Sequence, residues 1–214
     1  MNRHRIWQAI EAQRLSVAGL LEELSEEEWR QPSLCEGWTV RDVAAHLTLQ
    51  QGALFATMIS FRGSFDRTIQ HAARRRAGWP TERIVAEIRD TAGFRRHNFG
   101  VTYLETLIDI LVHGQDIALP LGRRLDLPPA AAAVAADRVL SMRWPPPLPA
   151  ARELRGFRLV ATDTAWSTGD GPEVRGPMGA ILLVCAGRLS ALSQLSGDGA
   201  AVLATRLSAG ARRD

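Results

Sequence analysis

Apolar residues in the first two thirds of the chain recur every three or four positions, which is the spacing of one helix face. The first series predicts an N-terminal helix and comprises Ile6, Ile10, Val17, Leu20, Leu21 and Leu24. Ser25 with Glu28 predicts a capping box that opens a short second helix, and Thr39 followed by Asp42 marks another helix start. Residues 32–38 are predicted to form the loop between them.

Three more helices follow from the same spacing, and with the first they predict a four-helix bundle. The helix that starts at Thr39 carries Val40, Val43, His46, Leu47 and Leu54. The next opens at Pro80 and Thr81 and carries Ile84, Ile88 and Phe94 on one side. The most apolar helix follows Gly100, ends near Pro120 and Gly122, and carries Leu104, Leu107, Ile108, Leu111 and Val112.

The pattern changes in the last third of the chain. Residues 129–144 form an alanine-rich helix, and the prolines at 145, 146, 147 and 149 predict a stiff linker. Beyond the linker, residues 157–162 alternate as a strand, Trp166 begins a second strand, and residues 169–172 form a turn. Helices are expected over residues 179–186 and 199–207. We therefore predict a bundle over 1–144, a linker over 145–149 and a small α/β domain over 150–214.

Charge and composition argue against a nucleic-acid-binding protein. The 214 residues are 46% apolar, and 26 basic residues, all Arg, face 23 acidic ones for a net charge of +3. Nucleic-acid binding needs charge clustered on one face. The one dense run, Arg74 to Arg76, is interpreted as a solvated helix face because it lacks interleaved aromatic residues. We expect no nucleic-acid partner.

Cysteine usage and hydropathy predict a cytoplasmic protein without a membrane partner. Cys35 and Cys185 are far apart and show no redox or metal-finger spacing, which fits a reducing compartment. Cys35 is a candidate nucleophile, but because no His is paired with it locally, a buried loop thiol is the preferred interpretation. The first ten residues contain no apolar leader core, and no apolar stretch reaches the length of a membrane span.

Three side chains in otherwise apolar segments form a candidate metal site. Asp109 and His113 are four residues apart, so they project from the same side of one helix. His46, from another helix, would complete a set of two imidazoles and one carboxylate. Ile110 and Ile117 extend the apolar character around that helix, which makes an unpaired carboxylate costly there.

Alternatives without a metal remain open at this point. Glu105, Asp109, His113 and Asp116 lie on one stripe of the helix, and such a stripe can simply face water. His46 flanks an apolar face, where a single His is more often a hydrogen-bonded core residue.

Three separated motifs resemble the mycothiol-dependent maleylpyruvate isomerase family, a branch of the DinB-like superfamily. The first is SLCEGWTVRDVAAHL at residues 33–47, and the second is DILVHGQDI at residues 109–117. The third combines residues 161–163, ATD, with residues 171–177, GPEVRGP. Together they extend the resemblance over nearly the whole chain.

The resemblance implies a mainly α fold, a DinB-like four-helix bundle followed by a small α/β C-terminal domain. It implies a divalent metal, usually zinc, held by His46, Asp109 and His113, where Asp109 replaces the Glu of the family pattern. Asp116 is a candidate for orienting a ligand, although a surface or helix-end role is equally open. The family carries a substrate-binding Arg in the distal domain, for which Arg175 is the first choice and Arg188 the second.

The resemblance also implies an enzyme that uses mycothiol as cosubstrate. In an isomerase, a thiolate formed on the metal adds to the cis double bond of a small electrophilic acid, the single bond rotates, and elimination returns the trans product. A mycothiol S-transferase for electrophile detoxification would share the site and keep the thiol attached. A non-catalytic metal-binding or ligand-binding module is the third alternative. The expected partners are a low-molecular-weight thiol and a small anionic or electrophilic substrate.

Overall fold

A computed structural model of the chain describes residues 1–51, 65–97, 101–143 and 148–210, with the side chains of residues 50, 51 and 65–69 left aside. Contacts divide the chain into a first unit, residues 2–126, and a second unit, residues 127–214, with which Met1 is grouped. Helix α1 (Arg3–Glu22) and the short α2 (Glu26–Arg30) open the first unit. Helix α3 (Val40–Leu47) continues into a 3-10 turn over Thr48–Gln51.

The other helices of the first unit are α4 (Phe65–Ala77), α5 (Thr81–Asp90) and α6 (Tyr103–Ala118). Helix α1 packs against α5 and α6, and α3 packs against α4, α5 and α6. The bundle core is lined by residues that the helical spacing selects, including Ile6, Ile10, Val17, Leu21, Val40, Val43, Ile84, Ile88, Leu107 and Leu111. The predicted four-helix bundle is therefore confirmed.

Local capping explains where these helices begin. Ser25 accepts a hydrogen bond from the Glu28 amide while Glu28 caps the Ser25 amide in return, and Thr39 and Asp42 form the same reciprocal pair at the start of α3. Both starts were predicted, and each capping side chain is typically worth about 1 kcal/mol. Leu54 and Gly100 lie outside the described residues.

The prediction that Phe94 shares one side of α5 with Ile84 and Ile88 is wrong. That helix ends at Asp90, and the Phe94 side chain is 48% exposed. The chain turns there because the buried Arg14 of α1 donates from Nη1 to the carbonyl oxygens of Thr91, Ala92 and Phe94 at 3.1–3.4 Å. Burial lowers the pKa of Arg14 to about 10, against the opposing effect of the Asp109 and Glu11 charges.

The second unit combines helices with a small sheet. Its helices are α7 (Pro129–Ser141), α8 (Pro149–Glu153), α9 (Met178–Cys185) and α10 (Ala200–Gly210). Its strands are β1 (Arg158–Ala161), β2 (Ser167–Thr168) and β3 (Glu173–Gly176). Strand β1 lies in the centre, antiparallel to β2 and parallel to β3. The predicted α/β character is confirmed, but strand β3 was not predicted.

The contacts group α7 with the second unit, which differs from the boundary predicted at residues 145–149. The alanine-rich face of α7 packs against the apolar helix α9, and Asp137 of α7 accepts a hydrogen bond from Trp166 Nε1 at 2.8 Å. Helix α7 ends at Ser141, and residues 144–147, including three of the linker prolines, lie outside the described residues. No helix in the described ranges is long and apolar enough to cross a membrane.

Candidate metal centre

The candidate ligands lie on two helices of the first unit. The Thr39 capping box starts α3 and places His46 in its last turn. A capping box between Thr102 and Glu105 starts α6, which presents Asp109, His113 and Asp116 about one, two and three turns beyond Glu105. Because α3 packs against α6, His46 is brought next to the α6 stripe.

His46, Asp109 and His113 converge. Their ligand atoms all lie within 4.8 Å of one another. His46 Nε2 lies 3.8 Å from Asp109 Oδ2, and His113 Nε2 lies 3.9 Å from Asp109 Oδ1. These atoms face one another at distances that are too long for hydrogen bonds.

The two separations that involve Asp109 fit one bridging cation. Zinc binds imidazole nitrogen and carboxylate oxygen at about 2.0–2.1 Å, so two ligand atoms on one zinc lie at most about 4.2 Å apart. The 3.8 and 3.9 Å separations fall within this limit. The side chain of Asp109 is 40% exposed, whereas those of His46 and His113 are 8% and 18% exposed. Asp109 therefore faces the open side of the group.

Asp116 supports His113 from behind. Its carboxylate is fully buried and lies 2.8 Å from His113 Nδ1. An ionised carboxylate only accepts hydrogen bonds, so Nδ1 carries the proton and the Nε2 lone pair of the neutral ring is left to face Asp109 and His46. A carboxylate in this position commonly orients a metal-binding His. Asp116 consequently does not belong to a solvated stripe.

The electrostatics of His113 favour a positive charge at this point. Burial lowers its pKa, but hydrogen bonds with Asp116 and Cys35 and the charges of Asp116 and Asp109 outweigh burial and raise it to about 10. Without a cation, the His113 ring is therefore positively charged near neutral pH, with a proton on Nε2 as well as on Nδ1. A metal ion that binds Nε2 replaces that proton.

The loop over residues 33–38 contacts both histidines. The Leu34 amide donates to the Asp116 carbonyl at 3.1 Å, which ties the loop to α6. Cys35 Sγ donates to Asp116 Oδ2 at 3.1 Å and lies 3.6 Å from His113 Nδ1. The Trp38 ring packs edge-on against the His46 ring at 5.7 Å between centroids. The loop therefore contacts His113 through Cys35 and His46 through Trp38.

The interpretation of Cys35 as a buried loop thiol without a His partner is wrong. The thiol is only partly buried, and it lies next to both His113 and Asp116. Those residues are 78 and 81 positions away in the sequence. Spacing within one helix or loop cannot show such a contact.

His46 is held differently from His113. Its Nδ1 is buried and has no hydrogen-bond partner in the part of the chain that the structure describes. Its ring is instead in contact with Trp38, and it meets the His113 ring at 4.8 Å between centroids. The orientation of His46 therefore depends on ring packing.

The predicted substrate arginines both lie in the second unit. Arg175 is on β3, its side chain is 53% exposed, and its Nε lies 3.2 Å from Glu173 Oε1. Arg188 follows α9 and donates from Nη1 to the Ala186 carbonyl at 2.6 Å. Their roles in substrate binding remain predictions.

Comparison with known proteins bears on the motif around His46. Residues 10–97 match the family model described as the mycothiol maleylpyruvate isomerase N-terminal domain. Over this segment, which is less than half of the chain, the chain is similar to that family. The resemblance inferred from the motifs is confirmed by this match. No curated protein matches the chain.

Solved structures of this family share the fold. The chain is similar to a crystal structure of the mycothiol-dependent maleylpyruvate isomerase and to one of a histidine-to-alanine mutant, with TM-scores of 0.64 and 0.65. In both, identity is 13% and the similarity covers 94% of each chain. At this identity, the similarity establishes the fold.

Proposed function

We propose that this protein is a metal-dependent enzyme that uses mycothiol to act on a small electrophilic acid, as a maleylpyruvate isomerase does. The observation that carries the proposal is the convergence of His46, Asp109 and His113. The family of the N-terminal segment is the reason for proposing mycothiol as the thiol.

The ligand set suits a catalytic cation. Two imidazoles and one carboxylate are ligands that zinc accepts, and three protein ligands leave a coordination position open. A divalent cation held there would favour the thiolate form of a thiol at the open position near neutral pH. The exposed edge of Asp109 faces the solvent, from which a thiol and an acid would approach.

The surrounding residues hold the ligands in place. Asp116 fixes the His113 tautomer, Trp38 packs against the His46 ring, and the capping box at Thr39 and Asp42 anchors the helix that carries His46. We propose Arg175, and Arg188 as the second choice, for binding the substrate carboxylate, because a guanidinium pairs with carboxylates through two parallel hydrogen bonds.

Cobalt substitution tests thiol use directly. Cobalt-loaded protein with Cys35 and Cys185 replaced by Ser is titrated with mycothiol. We expect a sulfur-to-metal charge-transfer band in the near ultraviolet that saturates with added thiol. An unchanged spectrum would refute thiol use and favour the binding-module alternative.

Thiol stoichiometry separates the two enzyme alternatives. An isomerase returns the thiol after each turnover, so maleylpyruvate is converted while free thiol stays constant. An S-transferase consumes one thiol for each product. We expect constant thiol, and loss of thiol in step with product would identify a transferase.

A further inference from the structure

The contact between Cys35 and Asp116 extends the candidate metal centre to a thiol of the protein itself. The donor atoms of Cys35, His113 and Asp116 lie within 4.8 Å of one another. Asp116 Oδ2 accepts from Cys35 Sγ at 3.1 Å and from His113 Nδ1 at 2.8 Å. One buried carboxylate oxygen therefore couples the thiol to a candidate metal ligand.

The backbone fixes the thiol in this position. The amide of Leu34 donates to the Asp116 carbonyl, and the Cys35 amide donates to Ser33 Oγ at 3.1 Å. The Trp38 amide donates to the Cys35 carbonyl at 3.0 Å, which closes the loop. Any group added to Sγ must therefore displace Asp116 or His113, or turn the Cys35 side chain away from both.

The loop also gives a reagent access to Cys35. Glu36 and Gly37 are exposed, and Cys35 is only partly buried. Cys185 is the natural contrast, because it is fully buried and burial raises the pKa of its thiol to about 12. Of the two thiols, only Cys35 is placed to react in the folded protein.

We propose that Cys35 is a positioning residue for His113 and a site of thiol–disulfide exchange with low-molecular-weight disulfides. Cys35 Sγ attacks one sulfur of the disulfide, a new S–S bond forms, the old S–S bond breaks, and the leaving thiolate takes up the Cys35 proton. The mixed disulfide has no S–H, so Asp116 loses this donor, and the added group displaces the Asp116–His113 pair or turns Cys35 away from it; either change removes support for His113. Metal affinity then falls until a thiol reverses the exchange. This inference rests on the proposed metal centre.

Two substitutions separate the hydrogen bond from the chemistry. Cys35→Ser keeps a hydroxyl that can donate to Asp116 but cannot form a disulfide. Cys35→Ala removes both. We expect Cys35→Ser to bind zinc like the wild type, and Cys35→Ala to bind it more weakly, since outer partners of metal ligands typically contribute roughly 10-fold or more to affinity.

The exchange is tested on the full chain with bis(2-hydroxyethyl) disulfide. Intact mass and peptide mapping should show one hydroxyethylthio group on Cys35, in the wild type and equally in the Cys185→Ser control. Zinc affinity, measured by competition with a chromophoric chelator, should fall roughly 10-fold or more on modification and recover with dithiothreitol. The Cys35→Ser variant should show no change.

Several results would overturn the inference. These are an adduct on Cys35 with unchanged zinc affinity, an unmodified Cys35 in folded protein whose unfolded form reacts readily, or a Cys35→Ser variant as weak as Cys35→Ala. Unmodified wild type that binds no zinc would refute the proposed function and this inference together. A zinc affinity that is the same before and after modification of Cys35 would refute this inference and leave the proposed function intact.

Discussion

His113 donates from Nδ1 to Asp116 Oδ2 at 2.8 Å, and the Asp116 side chain is fully buried behind it. This bond sets the tautomer of His113, so its Nε2 faces Asp109 and His46 as a lone pair when the ring is neutral. A residue with no atom in the candidate ligand set thereby determines the geometry of that set.

Replacing Asp116 by Asn should therefore weaken zinc binding by roughly 10- to 100-fold, because the amide oxygen still accepts from Nδ1 but no longer carries a negative charge. Chelator competition measures the affinity, and circular dichroism checks the fold. Asp90→Asn is the matched control, since it removes the same charge at an exposed position at the end of α5. Equal affinities for the two variants would contradict the role of Asp116.

Metal affinity should also depend on pH. The pKa of His113 without metal is raised to about 10, so the ring is protonated across the neutral range and zinc must displace that proton. Apparent affinity should rise by roughly 10-fold per pH unit between about pH 6 and 7.5, with release of about one proton per zinc. Isothermal titration calorimetry in buffers of different ionisation enthalpy counts the protons. Proton release near zero throughout this range would show that His113 is not displaced.

Two helical glycines should respond differently to alanine. A Cβ on Gly114 of α6 would lie 2.8 Å from Leu125 Cδ2 and 3.2 Å from Val17 Cγ2, whereas a Cβ on Gly19 of α1 meets no atom of the described residues within 4 Å. Both substitutions gain about 0.8–1 kcal/mol of helix propensity. Crowding opposes the gain at Gly114 alone, so Gly114→Ala should be about 1 kcal/mol or more less stable to unfolding than Gly19→Ala. Urea denaturation of both variants measures the difference in their free energies of unfolding. Equal values would contradict close packing around Gly114.

Arg175 should contribute to substrate binding and not to the metal. Arg175→Gln is expected to raise KM for an anionic substrate by roughly 10-fold or more, because a charge-assisted pair with a carboxylate is worth about 1.5–3 kcal/mol. Zinc content should stay unchanged. Arg158→Gln, on the neighbouring strand β1, is the control for loss of one exposed positive charge. If Arg175→Gln leaves KM unchanged, the same measurement on Arg188→Gln tests the second choice.

Local chemistry explains why much of this structure could be predicted from the sequence. The capping pairs Ser25 with Glu28 and Thr39 with Asp42 span three residues each, and Asp109 and His113 span one helical turn. Such short-range relations depend on backbone geometry alone. They fix the starts of α2 and α3 and two of the three candidate ligands.

The relations that could not be predicted join distant parts of the chain. Cys35 meets Asp116 across 81 positions, and Arg14 reaches the Ala92 carbonyl across 78. Strand β3 is four residues long, is preceded by Pro172 and ends at Gly176, so it shows too little alternation to stand out. Its pairing with β1 depends on tertiary packing, which no local pattern encodes.

The most direct test of the proposed metal site is the metal content of the purified protein and of its His113→Ala variant, measured by elemental analysis after removal of loosely bound ions. We expect about one divalent ion per chain in the wild type, zinc in preference to iron, and loss of that ion in the variant, because removing one of three protein ligands opens the shell. Matched far-ultraviolet circular dichroism spectra ensure that the variant is folded. Equal metal content in the wild type and a folded His113→Ala variant would contradict the proposed site.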